Sequence, residues 1–539
     1  MAKIINSNET VEREHWGTKL GVILAVAGSA VGLGNFLRFP GVVAQNGGGA
    51  FMIPYFLAFL LLGIPICWAE WIMGRRGGRL SGLSSAAGLF GVLTNGSRLR
   101  YFGALGLFVP VIIYMWYVYV ESWCLAYTWF ALKGILNLKS TGDPGIYNQF
   151  FSEFTGDPTV GTSQFFSGIK VSFIFFMITF VVNFLLIYKG ITKGIERFCR
   201  IAMPLLIFMA IIIVIRVVTL GANPENPEQT VVNGLGFMWN PDWSQLANAQ
   251  VWVAACGQIF FSLSVGFGII VTYASYLKKN DDVVLSGLTA SATNEFCEVC
   301  LGGLIVIPAA FVFLGVAQMS TVADQATVGI GFVTMPHIFD LMPFGQYFAA
   351  CLYFLLFLAG VTSSLSMLQP AIAFFEEGFG LKRHASVTVL GILTFIGSCA
   401  IILSPGLTAL DTIDTYSGNI GIPLLALFEV FIFVFVLKVS NGIKEAAHGA
   451  DMKLPRFFGF VITYITPVFL IAILGWWVFQ QIQKYNSPEY VPMDSIQSMT
   501  VYFMVAFFVL LVLLQKLAWP RMKRQYHAYK KVMVDEALD

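Results

Sequence analysis

The chain has 539 residues, of which 57% are hydrophobic and only 12% charged, and its formal net charge at pH 7 is +2. Because soluble domains carry ~25% charged residues, this composition excludes a soluble globular protein and indicates a chain that crosses a membrane several times. The nearly balanced charge gives no reason to expect a nucleic-acid partner. The first sixteen residues are polar and lack an apolar core, so no cleavable signal peptide is expected.

Hydropathy predicts twelve transmembrane helices, since each apolar run is long enough to cross a bilayer at ~20 residues. The predicted spans are 17–45, 51–74, 98–132, 166–188, 197–218, 249–277, 284–314, 345–378, 385–404, 410–438, 457–483 and 494–517. An even number of spans places both termini on one side. Lys and Arg follow the even-numbered spans, whereas the loops 219–248 and 315–344 contain neither. The positive-inside rule therefore predicts cytoplasmic termini in the cell inner (plasma) membrane.

The first span contains an unusual stretch at 28–35, with the sequence Gly-Ser-Ala-Val-Gly-Leu-Gly-Asn. Each glycine inside a helix costs about 1 kcal/mol relative to alanine. One interpretation is a broken helix, because its freed carbonyl groups can bind a cation and its freed N–H groups an anion. The alternative is a small-residue face that packs against another helix.

A second stretch favours the broken helix. Residues 264–268, Ser-Val-Gly-Phe-Gly, repeat the pattern of 30–34, Ala-Val-Gly-Leu-Gly, inside the sixth span. Two glycine-interrupted spans at corresponding positions indicate a transporter binding site near the membrane midplane. Each opens a group of five spans, and an odd number inserts the second group upside down. The sequence thus predicts an all-α integral membrane protein with a five-plus-five inverted repeat and with helices 1 and 6 unwound at the midplane.

This organisation divides the chain without a separate soluble domain. The predicted parts are a cytoplasmic N-terminal segment 1–16, a first repeat 17–218, an extracellular loop 219–248, a second repeat 249–438, helices eleven and twelve at 457–517, and a cytoplasmic C-terminal tail 518–539. The eight cysteines fall almost entirely inside the spans and no structural disulfide is expected. The five histidines are scattered, so no metal cluster is expected.

Charges near the span ends suggest two pairs across the access path. Arg38 ends the first span on the outer side, and Asp414 begins the tenth there. Arg13 precedes the first span on the inner side, and Glu376 and Glu377 end the eighth. The alternative for both sets is a group of solvated helix ends, which is common next to a membrane.

Polar residues inside spans are expensive, so each needs a partner or a function. Asn294 and Glu298 are four residues apart and share a helix face; they offer oxygens and a fixed charge to a cation, or form a hydrogen-bonded structural pair. The hydroxyls at 362–364 could ligate a small hard cation or bond back to their own helix. Glu70 and Glu121 have no evident partner and are interpreted as structural or vestibule residues.

These motifs resemble the neurotransmitter:sodium symporter family, and most closely its bacterial leucine-transporting branch. The matching segments are 28–40, 46–51, 117–123, 258–268, 294–298 and 362–370, and the resemblance extends from about residue 13 to the last span. It implies sodium-coupled transport of a small molecule and two bound Na⁺ ions.

The resemblance also implies specific residues. The substrate site would comprise Ala30, Gly32, Leu33, Gly34, Ile113, Tyr117, Phe261, Ser262, Ser264, Phe267, Ser363 and Met367. The first sodium would take Ala30, Asn35, Ser262, Asn294 and the substrate carboxylate, and the second would take Gly28, Val31, Ala359, Thr362 and Ser363. The outer gate would be Arg38 with Asp414, and the inner gate would be Arg13 and Glu377 with Trp16, Ser275, Tyr276 and Gln369.

Two departures from relatives refine the expected function. Glu298 stands where chloride-dependent members have an uncharged residue, so its carboxylate would replace the anion and make transport chloride-independent. Gly32 stands where monoamine transporters have Asp, so the ligand must supply the carboxylate itself.

The resulting prediction is a symporter, not an enzyme, that imports a neutral and apolar L-amino acid with sodium by alternating access. A homodimer in the lipid membrane is expected. The alternatives are a proton-coupled amino-acid carrier, an amino-acid receptor, a channel, and an intramembrane enzyme that uses Glu70 or Glu121. The enzyme alternative is disfavoured because the facing spans show no nucleophile–base pair and no metal cluster in the sequence.

Overall fold

The computed structural model describes residues 4–6, 9–11, 16–138, 145–157, 165–166, 169–324, 326–487 and 491–535. Near the N-terminus, a short antiparallel hairpin pairs β1 (Ile4–Asn6) with β2 (Glu9–Val11). The principal helices are α1 (Lys19–Ala30), α2 (Gly34–Gln45), α3 (Gly49–Ser81), α4 (Ala86–Leu93), α5 (Arg98–Leu132), α6 (Ile146–Thr155), α7 (Lys170–Tyr188), α8 (Ile191–Val218), α9 (Val231–Trp239), α10 (Ala249–Leu263), α11 (Ile269–Ser275), α12 (Val283–Gly315), α13 (Ile330–Leu341), α14 (Gly345–Phe379), α15 (Arg383–Ile402), α16 (Thr408–Ala446), α17 (Phe458–Asn486) and α18 (Ser495–Asp535).

The helices are long and apolar enough to form a multi-pass membrane protein. Ten of the described helices could cross a bilayer, and the count becomes 11 if the bent pair of α1 and α2 is one span. Each predicted span coincides with a helix or with an interrupted pair of helices. The all-α membrane class is therefore confirmed, whereas the count of twelve spans and the inverted repeat stay predictions.

The first span is interrupted at the glycine-rich stretch. Helix α1 ends at Ala30, Val31 is extended (φ −72°, ψ 100°), and α2 begins at Gly34 with a bend of 46°. The Asn35 side-chain oxygen accepts the Gly32 N–H at 2.8 Å. This side chain thus satisfies a donor that an unbroken helix would have used internally.

The sixth predicted span is interrupted in the same way. Helix α10 ends at Leu263, Ser264 and Gly266 have positive φ (54° and 73°), and α11 begins at Ile269. A glycine tolerates this left-handed backbone without steric cost. Glu70 of α3 accepts the freed Gly266 N–H at 2.7 Å, so this buried carboxylate supports the break from the side.

Helices α5 and α14, which lie beside the two breaks, form the centre of the molecule. The most apolar window of α5 is entirely buried inside the protein, and 83% of the corresponding window of α14 is buried. By contrast, only 28% of the window of α18 is buried. Helices α5 and α14 therefore hold the core of the fold, whereas α17 and α18, with windows only 33% and 28% buried, lie at its periphery.

The last helix continues beyond the predicted end of its span. Helix α18 runs to Asp535, although hydropathy ends the span at 517. Trp519 and Met522 are buried there; an added Cβ at Gly91 would meet the Trp519 ring at 2.0 Å. Packing against α4 thus accompanies an extension of the helix that hydropathy cannot detect.

Candidate substrate and sodium sites

The two helix breaks, α5 and α14 enclose a cavity near the centre of the fold. Its lining comprises Ser29, Ala30, Gly32, Gly34, Asn35, Tyr117, Phe261, Ser262, Ser264, Phe267, Ser363 and Met367. Ten of these were predicted to bind the substrate. The other two predicted residues lie beside the cavity: the Leu33 N–H donates to the Tyr117 hydroxyl at 3.2 Å, and Ile113 is fully buried in α5.

Among the described residues, no Asp, Glu, Lys or Arg lines this cavity. A charged ligand group must therefore be stabilised by backbone dipoles, hydroxyls or a bound cation. The broken helices supply such dipoles at both signs, because their ends expose N–H and carbonyl groups. A larger and more open cavity lies between α16 and α17 beside Asp411 and Trp477, but neither helix break contributes to it.

A first group of oxygens lies between α1, α10 and α12. The Asn294 amide carbonyl is 3.1 Å from the Ala30 carbonyl oxygen and 3.3 Å from the Ser262 carbonyl oxygen. The Asn35 amide donates to the same Asn294 oxygen at 2.9 Å. With its oxygen towards these two carbonyls, the Asn294 amide completes a set of oxygens that fits a hard cation; with the amide turned over, its nitrogen donates to the same two carbonyls.

A second group of oxygens lies between α1 and α14. The Ser363 hydroxyl is 3.3 Å from the Gly28 carbonyl oxygen and 3.4 Å from that of Val31. The Thr362 hydroxyl is 3.0 Å from the Ala359 carbonyl oxygen. An added Cβ at Gly28 would meet Thr362 at 3.2 Å, which shows how closely the two helices approach. The oxygens of Gly28, Val31 and Ser363 thus lie together, and the Thr362 hydroxyl bonds back to its own helix; neutral oxygens of this kind also suit a hard cation.

Glu298 lies at the centre of a buried network beside the first oxygen group. Its carboxylate accepts hydrogen bonds from the Gln258 amide at 2.5 Å, the Asn35 amide at 3.2 Å and the Asn294 amide at 3.4 Å. The Ser262 hydroxyl also donates to it. The carboxylate is thus fully buried and has donors from α2, α10 and α12 around it.

On the side towards α2, an aromatic ring forms part of the cavity wall and contacts Arg38. Phe261 lines the cavity, and the Arg38 guanidinium lies over its ring at 4.4 Å. Asp414 is half-buried at the start of α16. In the described chain Arg38 and Asp414 do not form an ion pair in direct contact, and the guanidinium instead makes a cation–π contact with the Phe261 ring.

At the opposite end, several of the predicted gate residues are linked. The Trp16 indole donates to the Tyr273 carbonyl oxygen at 3.0 Å, and the Gln369 amide donates to the Tyr276 hydroxyl at 3.1 Å. Ser275 donates to the Thr272 carbonyl oxygen within α11. These contacts join the N-terminal end of α1 and the middle of α14 to α11.

Glu377 has a contact that the sequence did not indicate. Its carboxylate accepts the Ser85 hydroxyl at 2.6 Å and the backbone N–H groups of Ser84 and Ser85, at the N-terminus of α4. A carboxylate is favourable at that end of a helix. Its predicted partner, Arg13, lies outside the described residues.

Sequence reasoning missed three contributors to the site. Ser29 lines the cavity, and its hydroxyl accepts a hydrogen bond from Ser366 at 2.8 Å. Gln258 binds Glu298, and Glu70 holds the break before α11. Glu70 was recognised as a buried charge without a partner, but a single sequence does not show that α3 lies next to the sixth span.

Comparisons with known proteins agree with this arrangement. The profile of the Sodium:neurotransmitter symporter family matches residues 13–163 and 161–520. An uncharacterised sodium-dependent transporter of Methanocaldococcus jannaschii is 30% identical over 470 residues, which cover 86% of this chain and 90% of that protein. A sodium-dependent transporter of Haemophilus influenzae, also uncharacterised, is 29% identical and covers 86% of this chain and 97% of its own.

A solved structure shares the fold. The crystal structure of MhsT in complex with L-phenylalanine matches with a TM-score of 0.72 and 28% identity, covering 86% of this chain and 99% of that one. Since the family profile extends over nearly the whole described length, this chain belongs to the sodium:neurotransmitter symporter family and is a sodium-dependent transporter, not an enzyme.

Proposed function

We propose that the protein imports a neutral, apolar L-amino acid together with two sodium ions, across the inner (plasma) membrane and with both termini in the cytoplasm. The observation that carries this proposal is the uncharged cavity between the two helix breaks. Such a cavity suits a zwitterion, because exposed backbone N–H groups and carbonyls can meet its two ends while an apolar side chain contacts the aromatic walls.

The first sodium is proposed to bind the Ala30 carbonyl, Asn35, Ser262, Asn294 and the substrate carboxylate. The separations of these oxygens support this assignment. The carboxylate is also expected to face the N–H groups of Leu33 and Gly34 and the Tyr117 hydroxyl. The ammonium group is expected at the carbonyls of Ala30, Phe261 and Ser262 and the Ser264 hydroxyl.

The second sodium is proposed to bind the carbonyls of Gly28, Val31 and Ala359 and the hydroxyls of Thr362 and Ser363. It has no direct contact with the substrate in this arrangement. It instead joins α1 to α14, so its binding favours one relative position of these helices. A ligand drives alternating access only through such a difference in affinity between two states.

The substrate class follows from Gly32. With no carboxylate at this position, an amine without its own carboxyl group leaves the first sodium short of one ligand. Amino acids are therefore favoured over amines. MhsT has been crystallised with L-phenylalanine, and Phe261, Phe267 and Met367 give this chain an apolar wall for such a side chain.

The sodium gradient supplies sufficient energy. Two ions that move through ~100 mV and a ~10-fold concentration gradient release about 7 kcal/mol, which supports ~10⁵-fold accumulation of the substrate. No covalent step is needed.

The decisive experiment is transport by the purified protein in liposomes. A thermal-shift screen of the twenty amino acids with Na⁺ or K⁺ first selects the substrate, and uptake of that amino acid is then measured under an inward Na⁺ gradient. Accumulation that needs Na⁺ supports the proposal. Accumulation driven equally by a proton gradient in Na⁺-free buffer would instead establish the proton-coupled carrier.

Chloride independence is tested at Glu298. We expect the native protein to transport equally in chloride and gluconate, because the buried carboxylate supplies the negative charge. The variant E298S should transport only with chloride, since removal of the charge leaves the donors of Gln258 and Ser262 without an anion. If E298S transports equally well with and without chloride, the proposed role of Glu298 is wrong.

A further inference from the structure

An apolar groove runs between α7 and α15 on the outer surface of the helix bundle. It has a volume of about 400 Å³, and its walls include Phe180, Phe184 and Tyr188 of α7 and Gly391 and Phe395 of α15. The stretch 180–188 spans about two helical turns, or roughly 12 Å. This length corresponds to most of one leaflet of a bilayer whose hydrocarbon core is ~30 Å thick.

The groove is a built feature of the two helices. An added Cβ at Gly391 would meet the Phe184 ring at 2.9 Å, so the glycine leaves space that any other residue would occupy. The Phe180 ring packs against Phe184 at 4.6 Å and against Phe395 at 5.4 Å between centroids. The walls are therefore held in place by aromatic contacts.

The rim of the groove is open. Val181 is 48% exposed, and Leu185 and Ile392 are each 58% exposed. No described element covers these residues, so the space is open to a hydrocarbon chain of the membrane.

One end of the groove is polar and positively charged. The Tyr188 hydroxyl is hydrogen-bonded to Thr388, and the His384 ring stacks on Tyr188 at 5.6 Å. Lys189 follows Tyr188 directly, and Lys382 lies two residues before His384, just ahead of α15; both are exposed. Neither lysine forms an ion pair with a carboxylate of the described chain.

We infer that this groove binds one anionic phospholipid, with an acyl chain along the phenylalanine wall and the negatively charged headgroup at Lys189 and Lys382. An apolar groove alone would accept the chain of any lipid. The two unpaired ammonium groups at its end distinguish headgroups, because they attract a net negative charge and not a zwitterion. The positive-inside rule places this end in the cytoplasmic leaflet.

The test compares phosphatidylglycerol with phosphatidylcholine of the same acyl chains. Full-length protein in detergent is titrated with each lipid, and binding is followed by native mass spectrometry and by thermal unfolding. We expect tighter binding of phosphatidylglycerol and a larger rise in the unfolding temperature. The double variant K189Q/K382Q should weaken this binding by about 5-fold per lysine, whereas K170Q, at the other end of α7, should leave it unchanged.

A second variant tests the groove itself. V181W fills the groove from its exposed rim and should abolish the tightly bound phosphatidylglycerol, whereas I174W, at a residue of α7 that is 56% exposed and lies outside the groove, should retain it. Equal binding of both lipids by the native protein would overturn the inference. So would binding that survives V181W, or a V181W variant that changes from dimer to monomer with lipid binding intact, because the groove would then be a contact between copies of this chain.

Discussion

Gly32 has no side chain at the point where three elements meet. An added Cβ would lie 2.7 Å from the Tyr117 hydroxyl and 2.8 Å from the Ser363 hydroxyl. We expect G32A to reduce amino-acid uptake by about 100-fold, because a displacement of ~1 Å in a binding site can cost this much. The matched control is G257A in α10, where an added Cβ meets nothing within 4 Å. Normal uptake by G32A would show that this close approach is not needed for transport.

Thr362 tests the second oxygen group. The variant T362V keeps the shape of the side chain but removes the hydroxyl. We expect at least a ~10-fold loss of sodium affinity, since even outer-shell partners of a bound metal contribute 10- to 100-fold. The conservative variant T362S should restore most of the affinity. The measurement is the Na⁺ dependence of thermal stability, and an unchanged Na⁺ titration of T362V would remove Thr362 from the proposed ligand set.

At this scale, the sequence predicted which residue types belong to the site, but it did not predict all contacts. The glycine pattern at 28–34 and the hydroxyls at 362–364 were sufficient to select the cavity-lining segments. Ser29 and Gln258 escaped because nothing in a single sequence distinguishes them from other polar residues within a span. Their roles depend on the facing helix, and only the structure supplies that distance.

At the scale of secondary-structure elements, the helix break in the sixth span depends on a contact from another helix. At the sixth-span break, Glu70 accepts the Gly266 N–H at 2.7 Å in a fully buried environment. We expect E70L to destabilise the protein by about 1–3 kcal/mol, because the N–H would be buried without an acceptor. The variant E70Q retains a carbonyl oxygen and should keep nearly native stability. Thermal unfolding in detergent separates the two, and equal midpoints for E70L and the native protein would show that Glu70 does not support the break.

Element positions were predicted well where apolar length decides them and poorly where packing does. The long apolar helices coincide with the predicted spans. The last helix exceeds its predicted end because Trp519 packs against Gly91 of α4, and such a contact has no hydropathy signal. The breaks themselves have a local signal, because glycine is the residue that both permits positive φ and weakens a helix.

The molecule as a whole joins two cation sites and one substrate site through α1. Both oxygen groups use carbonyls at the end of this helix, from Gly28, Ala30 and Val31. A sodium ion that orders this end therefore also orders the groups proposed to bind the substrate. Binding of one ligand should thus strengthen binding of the other, and thermodynamic linkage requires the same factor in both directions.

We expect Na⁺ to raise the affinity for the preferred amino acid, and that amino acid to raise the affinity for Na⁺, each by the same factor of about 5–150. Isothermal titration of the purified protein measures both directions at fixed ionic strength, with K⁺ replacing Na⁺. The control ligand is the matching amine without the carboxyl group, which cannot complete the first sodium site and should show no such linkage. An amine that binds with the same sodium dependence would show that the carboxylate is not a sodium ligand, and a substrate affinity independent of Na⁺ would contradict the coupling itself.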